Sequence, residues 1–403
     1  MNTSKLHEQV WKRFIRMPFG HVLNYADKHG NTTIPTPEEY QKNIPNPYGW
    51  TTPNSDGAFF TGLYLYGLCE KYDYAPDETL RGEIHLLAEG LFILCDIGTH
   101  DGFIARGVAD DGISHYPIGS EDQFGPWMLG LWRLLHSPAS DEALREKIRQ
   151  RMMRSLRGIK AVGWNMPTEW DNVTLGSYAH KDWRGASKML FTAAASRELG
   201  VIDDAEFERL VSEKPDGGLY TRPEIVSHGF GPDMLRSTGL IQFWIDVCAQ
   251  ICASWMIKLD PDNAAYYRAG IAVNGASVVP FLRDFDEYNR IKGTPFNMNW
   301  RELIPGIRPW TTPTEAARES SRQNGEFRRV INPALQDERG VLGQAVFGGW
   351  VGVMCGDPVT AKYAYECLCE SIDAVDWDGV TMSYAFAVEA AIYCYENREV
   401  HGK

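Results

Sequence analysis

The chain has 403 residues, 44% of them hydrophobic, which allows either one large core or two to three average domains. A formal charge of −13 excludes nucleic acid and anionic membrane as the main partner, because both repel a net anion. Aromatics reach 12%, with 13 tryptophans, a supply of flat apolar faces suited to stacking on sugar rings. The eight cysteines sit in apolar runs without zinc-ligand spacing and read as buried free thiols of a reducing compartment. The first residues are charged and amphipathic rather than a secretory leader, and no apolar run approaches the ~20 residues of a membrane span. The expectation is a cytoplasmic protein, monomeric or homo-oligomeric, with neither a membrane nor a nucleic-acid partner.

Helical periodicity runs over 6–26, followed by a Pro- and Thr-rich stretch, 32–53, that excludes regular helix. Residues 55–73 are apolar on nearly every side and read as a buried helix, whereas 77–97 is amphipathic. A glycine-punctuated loop from 101 then carries Asp101, Arg106, Asp110, Asp111 and His115, and an aromatic buried helix opens at Glu121 and Asp122. The alternation continues with 140–162 (amphipathic), 183–199 (apolar), 203–214 (short and charged), 233–257 (apolar) and 261–282 (amphipathic). Five prolines interrupt 283–339, an excursion too long for an ordinary connection and expected to be functional or to pack over a site. Apolar 341–354, amphipathic 358–372 and apolar 378–395 close the chain. Six apolar helices thus alternate with six amphipathic ones, with no comparable strand pattern and no nucleotide-binding glycine motif. Helices apolar all round suit an enclosed inner ring better than an open solenoid. The expected fold is therefore all-α, a single (α/α)6 toroid over 1–403 whose inner helices run parallel.

In that arrangement the inner helices begin on one face. Their starts carry Asp56, Glu121 with Asp122, Asp182, Asp233 and Asp378, so carboxylates remote in sequence would gather around one depression. Cleavage of a glycosidic bond requires such a pair within ~5–10 Å, one protonated and one ionised. Mutual repulsion and partial burial set the two proton affinities apart. Asp is also a common helix cap, the role expected for Asp233 and Asp378. Asp122, Asp56, Asp182 and Glu121 are the catalytic candidates, because their loops bring further acids, histidines or aromatics. Around them His115, His180, His228, Arg106 and Arg184 would hold hydroxyls or a uronate carboxylate. Trp50, Trp127, Trp183 and Trp300 would stack on rings, and Glu169 and Asp171 sit beside Trp164 and Trp170 in a second platform. Segment 296–310, with Arg301 and Trp310, reads as a lid or a packed surface excursion. The histidines lack HxH or HExxH spacing, so neither a metal nor another cofactor is expected.

Three short stretches carry a family resemblance. Ser55-Asp56-Gly57-Ala58-Phe59 is similar to the Asp-Gly-Phe-like turn that opens the first inner helix of the unsaturated-uronyl hydrolases. Asp122 holds the place of their general acid and base, and Asp182-Trp183-Arg184-Gly185 echoes their Trp-x-Arg-Gly helix start. The chain therefore resembles the six-hairpin glycosidase superfamily, and those hydrolases most. Ser55 stands where the family has His, and Ala186-Ser187-Lys188 where it has Gln-Ala-Trp. The resemblance accordingly implies an inner-helix Asp acting on a saccharide rather than hydration of an unsaturated uronide. The expected activity is hydrolysis of a short oligosaccharide, uronic-acid-containing ones included. The alternatives are a sugar epimerase or isomerase using paired histidines, a polysaccharide lyase using Tyr116 and Arg106, and a non-catalytic scaffold.

Overall fold

The computed structural model describes residues 2–179, 182–230, 243–291 and 297–401. Almost all regular structure is helical. Six apolar helices, Gly57–Tyr74, Glu121–Leu135, Trp183–Glu198, Phe243–Leu259, Gly343–Val353 and Ala385–His401, form the centre. Burial separates them from the amphipathic set: Gly57–Tyr74 buries 14 of its 18 residues, whereas Glu142–Ala161 buries 6 of 20, one stripe only. The amphipathic helices Glu78–Asp96, Glu142–Ala161, Asp204–Ser212, Ala264–Val278 and Pro358–Ala374 each pack on an apolar neighbour in sequence. Gly57–Tyr74 touches both Glu121–Leu135 and Ala385–His401, and the last packs in turn on Gly343–Val353. Phe243–Leu259 joins Gly343–Val353 to Trp183–Glu198. One contiguous apolar core extends from Leu6 to Cys394, and all eight cysteines are buried and free. Among the described residues, no helix is long and apolar enough to cross a membrane.

Small residues decide how closely the first two central helices approach. A Cβ on Gly62 would lie 2.1 Å from the Pro126 carbonyl oxygen, and one on Gly130 would lie 2.5 Å from that of Gly62. Only glycines allow these two backbones to touch, and their contact draws the helix starts at Asp56 and Asp122 together.

The structure corrects the sequence reading in several places. The first amphipathic segment is helical only to Phe14; a short antiparallel pair, Ile15–Arg16 with His21–Val22, follows around cis Pro18. A second hairpin pairs Asn165–Pro167 with Thr174–Ser177. Residues 217–230, which carry no element in the sequence pattern, contain a helix, Arg222–Ser227, entered through a Thr221–Glu224 capping box. The excursion is itself largely helical, with Asp284–Ile291, Pro313–Glu326 and Pro333–Asp337. The last helix begins at Ala385, so Asp378 lies in the preceding turn and caps nothing there. Asp233 and His180 lie outside the described residues.

Candidate active site

Aspartate capping is widespread here, and that makes the exceptions informative. Asp77, Asp141, Asp203 and Asp357 each accept a backbone N–H in the first turn of an amphipathic helix. Asp182 does the same for Gly185 N at 2.7 Å, and it does not line the cavity described below. Asp56 occupies the N-cap position of Gly57–Tyr74 but makes no capping bond. Its oxygens accept instead from Asn24 Nδ2 (2.6 Å), Gln123 Nε2 (3.1 Å), Ser55 Oγ (3.1 Å) and Arg106 Nη1 (3.3 Å). Every partner is a donor, the setting an acceptor-only carboxylate requires. Arg106, 3% exposed, also donates to the carbonyls of Ser55 and Ile118 and to Ser120 Oγ. It therefore fastens Asp56 to the residue that opens the next central helix, and it lines the cavity described below with most of its donors already engaged.

Asp122 is the opposite case. It accepts no hydrogen bond from any described residue, and a quarter of its side chain (24%) still faces the cavity. Burial, followed by the adjacent Glu121, pushes its carboxyl up to about 6, with Asp56 adding to the effect and Lys188 and Arg106 opposing it. Glu121 lies under the second hairpin: a Cβ on Gly176, where φ is +82°, would sit 1.5 Å from Glu121 Oε2.

These acids line one wall of a cavity of about 410 Å³, within the range of small-molecule sites. Tyr48, Trp50 and Trp244 supply flat faces in the same cavity. Another part of the lining comes from the excursion, through Asn324, Phe327, Arg328, Leu335 and Arg339. The Arg339 guanidinium lies 5.5 Å from the Trp244 ring centre. Burial, then repulsion from Arg339, lowers Arg328 to about 9. Neither arginine has an ion-pair partner among the described residues, so two cations without a salt bridge line the cavity that holds the acids, Arg328 within reach of the Asp56 charge.

Of the other candidates, Trp50 lines the cavity, while Trp127, Trp183 and Trp300 are 0–3% exposed core residues. Trp127 and Trp300 spend their indole N–H on the carbonyls of Leu91 and Thr33. Arg184 is paired with buried Asp246 at 2.6 Å. His115 bonds the Ile113 carbonyl and packs on Phe103, and exposed His228 meets Tyr220; neither reaches the cavity. Glu169 is held by Thr99, and Asp171 is exposed near His100. Trp170 pairs with Trp310 at 5.7 Å, and Arg301 with Glu39. Residues 297–310 do not line the cavity, and the part of the excursion that does lies within 313–339. Sequence reading passed over Arg328, Arg339, Asn24 and Trp244; the available signal was two arginines about three helical turns apart within one excursion. Compared with family models, curated proteins and solved structures, the chain has no match.

Proposed function

We propose that the protein is a glycoside hydrolase acting on a short oligosaccharide that ends in an anionic sugar such as a uronate. The observation that carries this reading is the contrast between Asp122 and Asp56 in one cavity. Asp122 holds its proton to about pH 6, while Asp56 is surrounded by donors alone. That is the division of labour glycosidic cleavage needs. Asp122 donates its proton to the leaving oxygen as the C1–O bond breaks. Water supplies the oxygen that bonds to C1, and its proton passes to a carboxylate, for which Asp56 is the candidate. Trp50 and Trp244 offer stacking faces. The anionic group belongs at Arg328 and Arg339, because Arg106 and Arg184 are committed to internal partners. The (α/α)6 toroid is part of the proposal; the return of Ala385–His401 to Gly57–Tyr74 supports ring closure. The buried free thiols support a cytoplasmic setting. Among the described residues no histidine lines the cavity, so nothing there favours the paired-histidine epimerase.

The test is time-resolved proton NMR of the protein with neutral and uronate-containing disaccharides and with free monosaccharides, run beside Asp122→Asn. New anomeric signals from a uronate disaccharide, lost in the variant, are expected. Arg328→Met should raise KM for that substrate about 10–100-fold, the loss of one charge-assisted contact. Conversion of a free monosaccharide that survives in Asp122→Asn would transfer the assignment to an epimerase.

A further inference from the structure

Lys188 lies on Trp183–Glu198, nearly two helical turns past the Asp182 cap, with its side chain 6% exposed. Its stem runs beside Gly125, where an added Cβ would stand 3.6 Å from Lys188 Cδ. Its Nζ reaches to 4.0 Å from Asp122 Oδ1 and lies 5.6 Å from the centre of the Tyr178 ring. Among the described residues the ammonium makes no hydrogen bond, and its one ion-pair partner there is Asp122. An ammonium is costly to bury and is retained where an anion compensates it. No structural cap, helix end or loop closure depends on this one.

We infer that Lys188 is a positioning residue for the acid, fixing by its charge how tightly Asp122 holds the proton it delivers. Its catalytic meaning rests on the hydrolase reading. The groups facing the pair come from each packed element. Glu121 adjoins Asp122 on its own helix, and Asp56 and Arg106 lie on the side of Gly57–Tyr74. Asp182 precedes the lysine helix, Tyr178 lies beneath the ammonium, and Asp246, Cys248 and Cys252 come from Phe243–Leu259. Of these, Asp246 is neutralised by Arg184 at 2.6 Å, and burial holds both thiols protonated. Asp122, at 4.0 Å, is the ion-pair partner of Lys188, and Glu121 and Asp182 add weaker attraction. With Arg106 and Arg184 left to oppose the push from burial, Glu121 and Asp56, the carboxyl without Lys188 would keep its proton to a higher pH.

The experiment needs no substrate. Urea unfolding of the full chain is measured from pH 4.5 to 8.5 for wild type, Asp122→Asn, Lys188→Met and the double variant. The pH-dependent difference between wild type and Asp122→Asn, and between Lys188→Met and the double variant, reports the Asp122 titration in each background. The expected midpoint is about 6 in wild type and higher by about 1 pH unit in Lys188→Met, the usual effect of losing an opposite charge at this distance. Lys188→Arg should restore it. Lys188→Gln, which keeps a polar head and most of the stem, takes the place of Lys188→Met should that variant not fold. A midpoint unmoved by loss of the charge overturns the inference. A shifted midpoint in a protein that cleaves no disaccharide overturns the hydrolase reading alone, and cleavage with an unmoved midpoint overturns the Lys188 role alone.

Discussion

Helix Gly57–Tyr74 carries two concentrations of buried charge, two turns apart, that differ in how completely they are satisfied. At Tyr64 the N-terminal helix brings in His7, whose ring nitrogens meet Glu389 Oε1 at 2.8 Å and Glu83 Oε1 at 3.0 Å. Tyr64 and Tyr393 donate to the remaining capacity of Glu389, and Thr3 and Lys71 bond Tyr393. Burial alone would lower the His7 pKa, but the bonds from Glu389 and Glu83 outweigh it and raise it to about 9. At the Asp56 end, Asp122 has no such partners and its carboxyl is pushed to about 6. The two shifts act oppositely at neutral pH. Folding raises the His7 pKa, so its contribution of about 3 kcal/mol is full below pH ~6.5 and is lost as pH rises through about 9. Folding also raises the Asp122 pKa, so the protonated acid is tolerated at low pH. The ionised form costs about 3 kcal/mol once pH passes about 6. Charge that is fully matched ties the first helix to the core; charge left unmatched is what the proposed hydrolysis would draw on.

The strongest way to break this contrast is Asp122→Asn. Disaccharide cleavage should fall by about 10²–10⁴-fold, the loss of a general acid, while urea unfolding at pH 7.5 shows a gain of up to about 3 kcal/mol. A variant that stays active, or loses stability at pH 7.5, would show that the acid is structural. Next is Arg106→Met, which leaves Asp56 buried without its cation and should cost about 3–5 kcal/mol at neutral pH; calorimetric Tm reads it. His7→Leu sharpens the other side of the contrast. It should remove about 3 kcal/mol below pH 6.5 and almost nothing above pH 9, with kcat unchanged at any pH where the variant is folded. The smallest effect is a control away from both clusters. Gly82, exposed within Glu78–Asp96, has no atom within 4 Å of an added Cβ. Gly82→Ala should stabilise by about 0.5–1 kcal/mol without changing either pH profile.

Periodicity made the central helices legible, because apolar spacing is a local property; Asp56, Glu121 and Asp122 followed from it as residues at helix starts. What local pattern cannot distinguish is a carboxylate that caps from one that does not. Asp182 and Asp56 look alike in sequence, and only the partners of Asp56 on three other segments separate them. Tryptophan was misleading for a similar reason. Trp127 and Trp183 lie in helices buried on all sides, so their size fills the core rather than a binding face. The basic wall was illegible because it is assembled by tertiary packing of a proline-broken segment with no long periodic stretch. His115 and His228 share a loop position with the acids in sequence, but their side chains turn to Phe103 and Tyr220.

The glycine contact between Gly57–Tyr74 and Glu121–Leu135 has a stereochemical meaning. In glycosidic cleavage the gap between the two acids decides whether a water molecule fits between carboxylate and sugar, and hence whether the product anomer is inverted or retained. On the hydrolase reading proposed above, that gap would follow from how closely two backbones cross at Gly62 and Gly130, a turn or more below Asp56 and Asp122. The anomer of that proposed product would then depend on two residues that have no side chain.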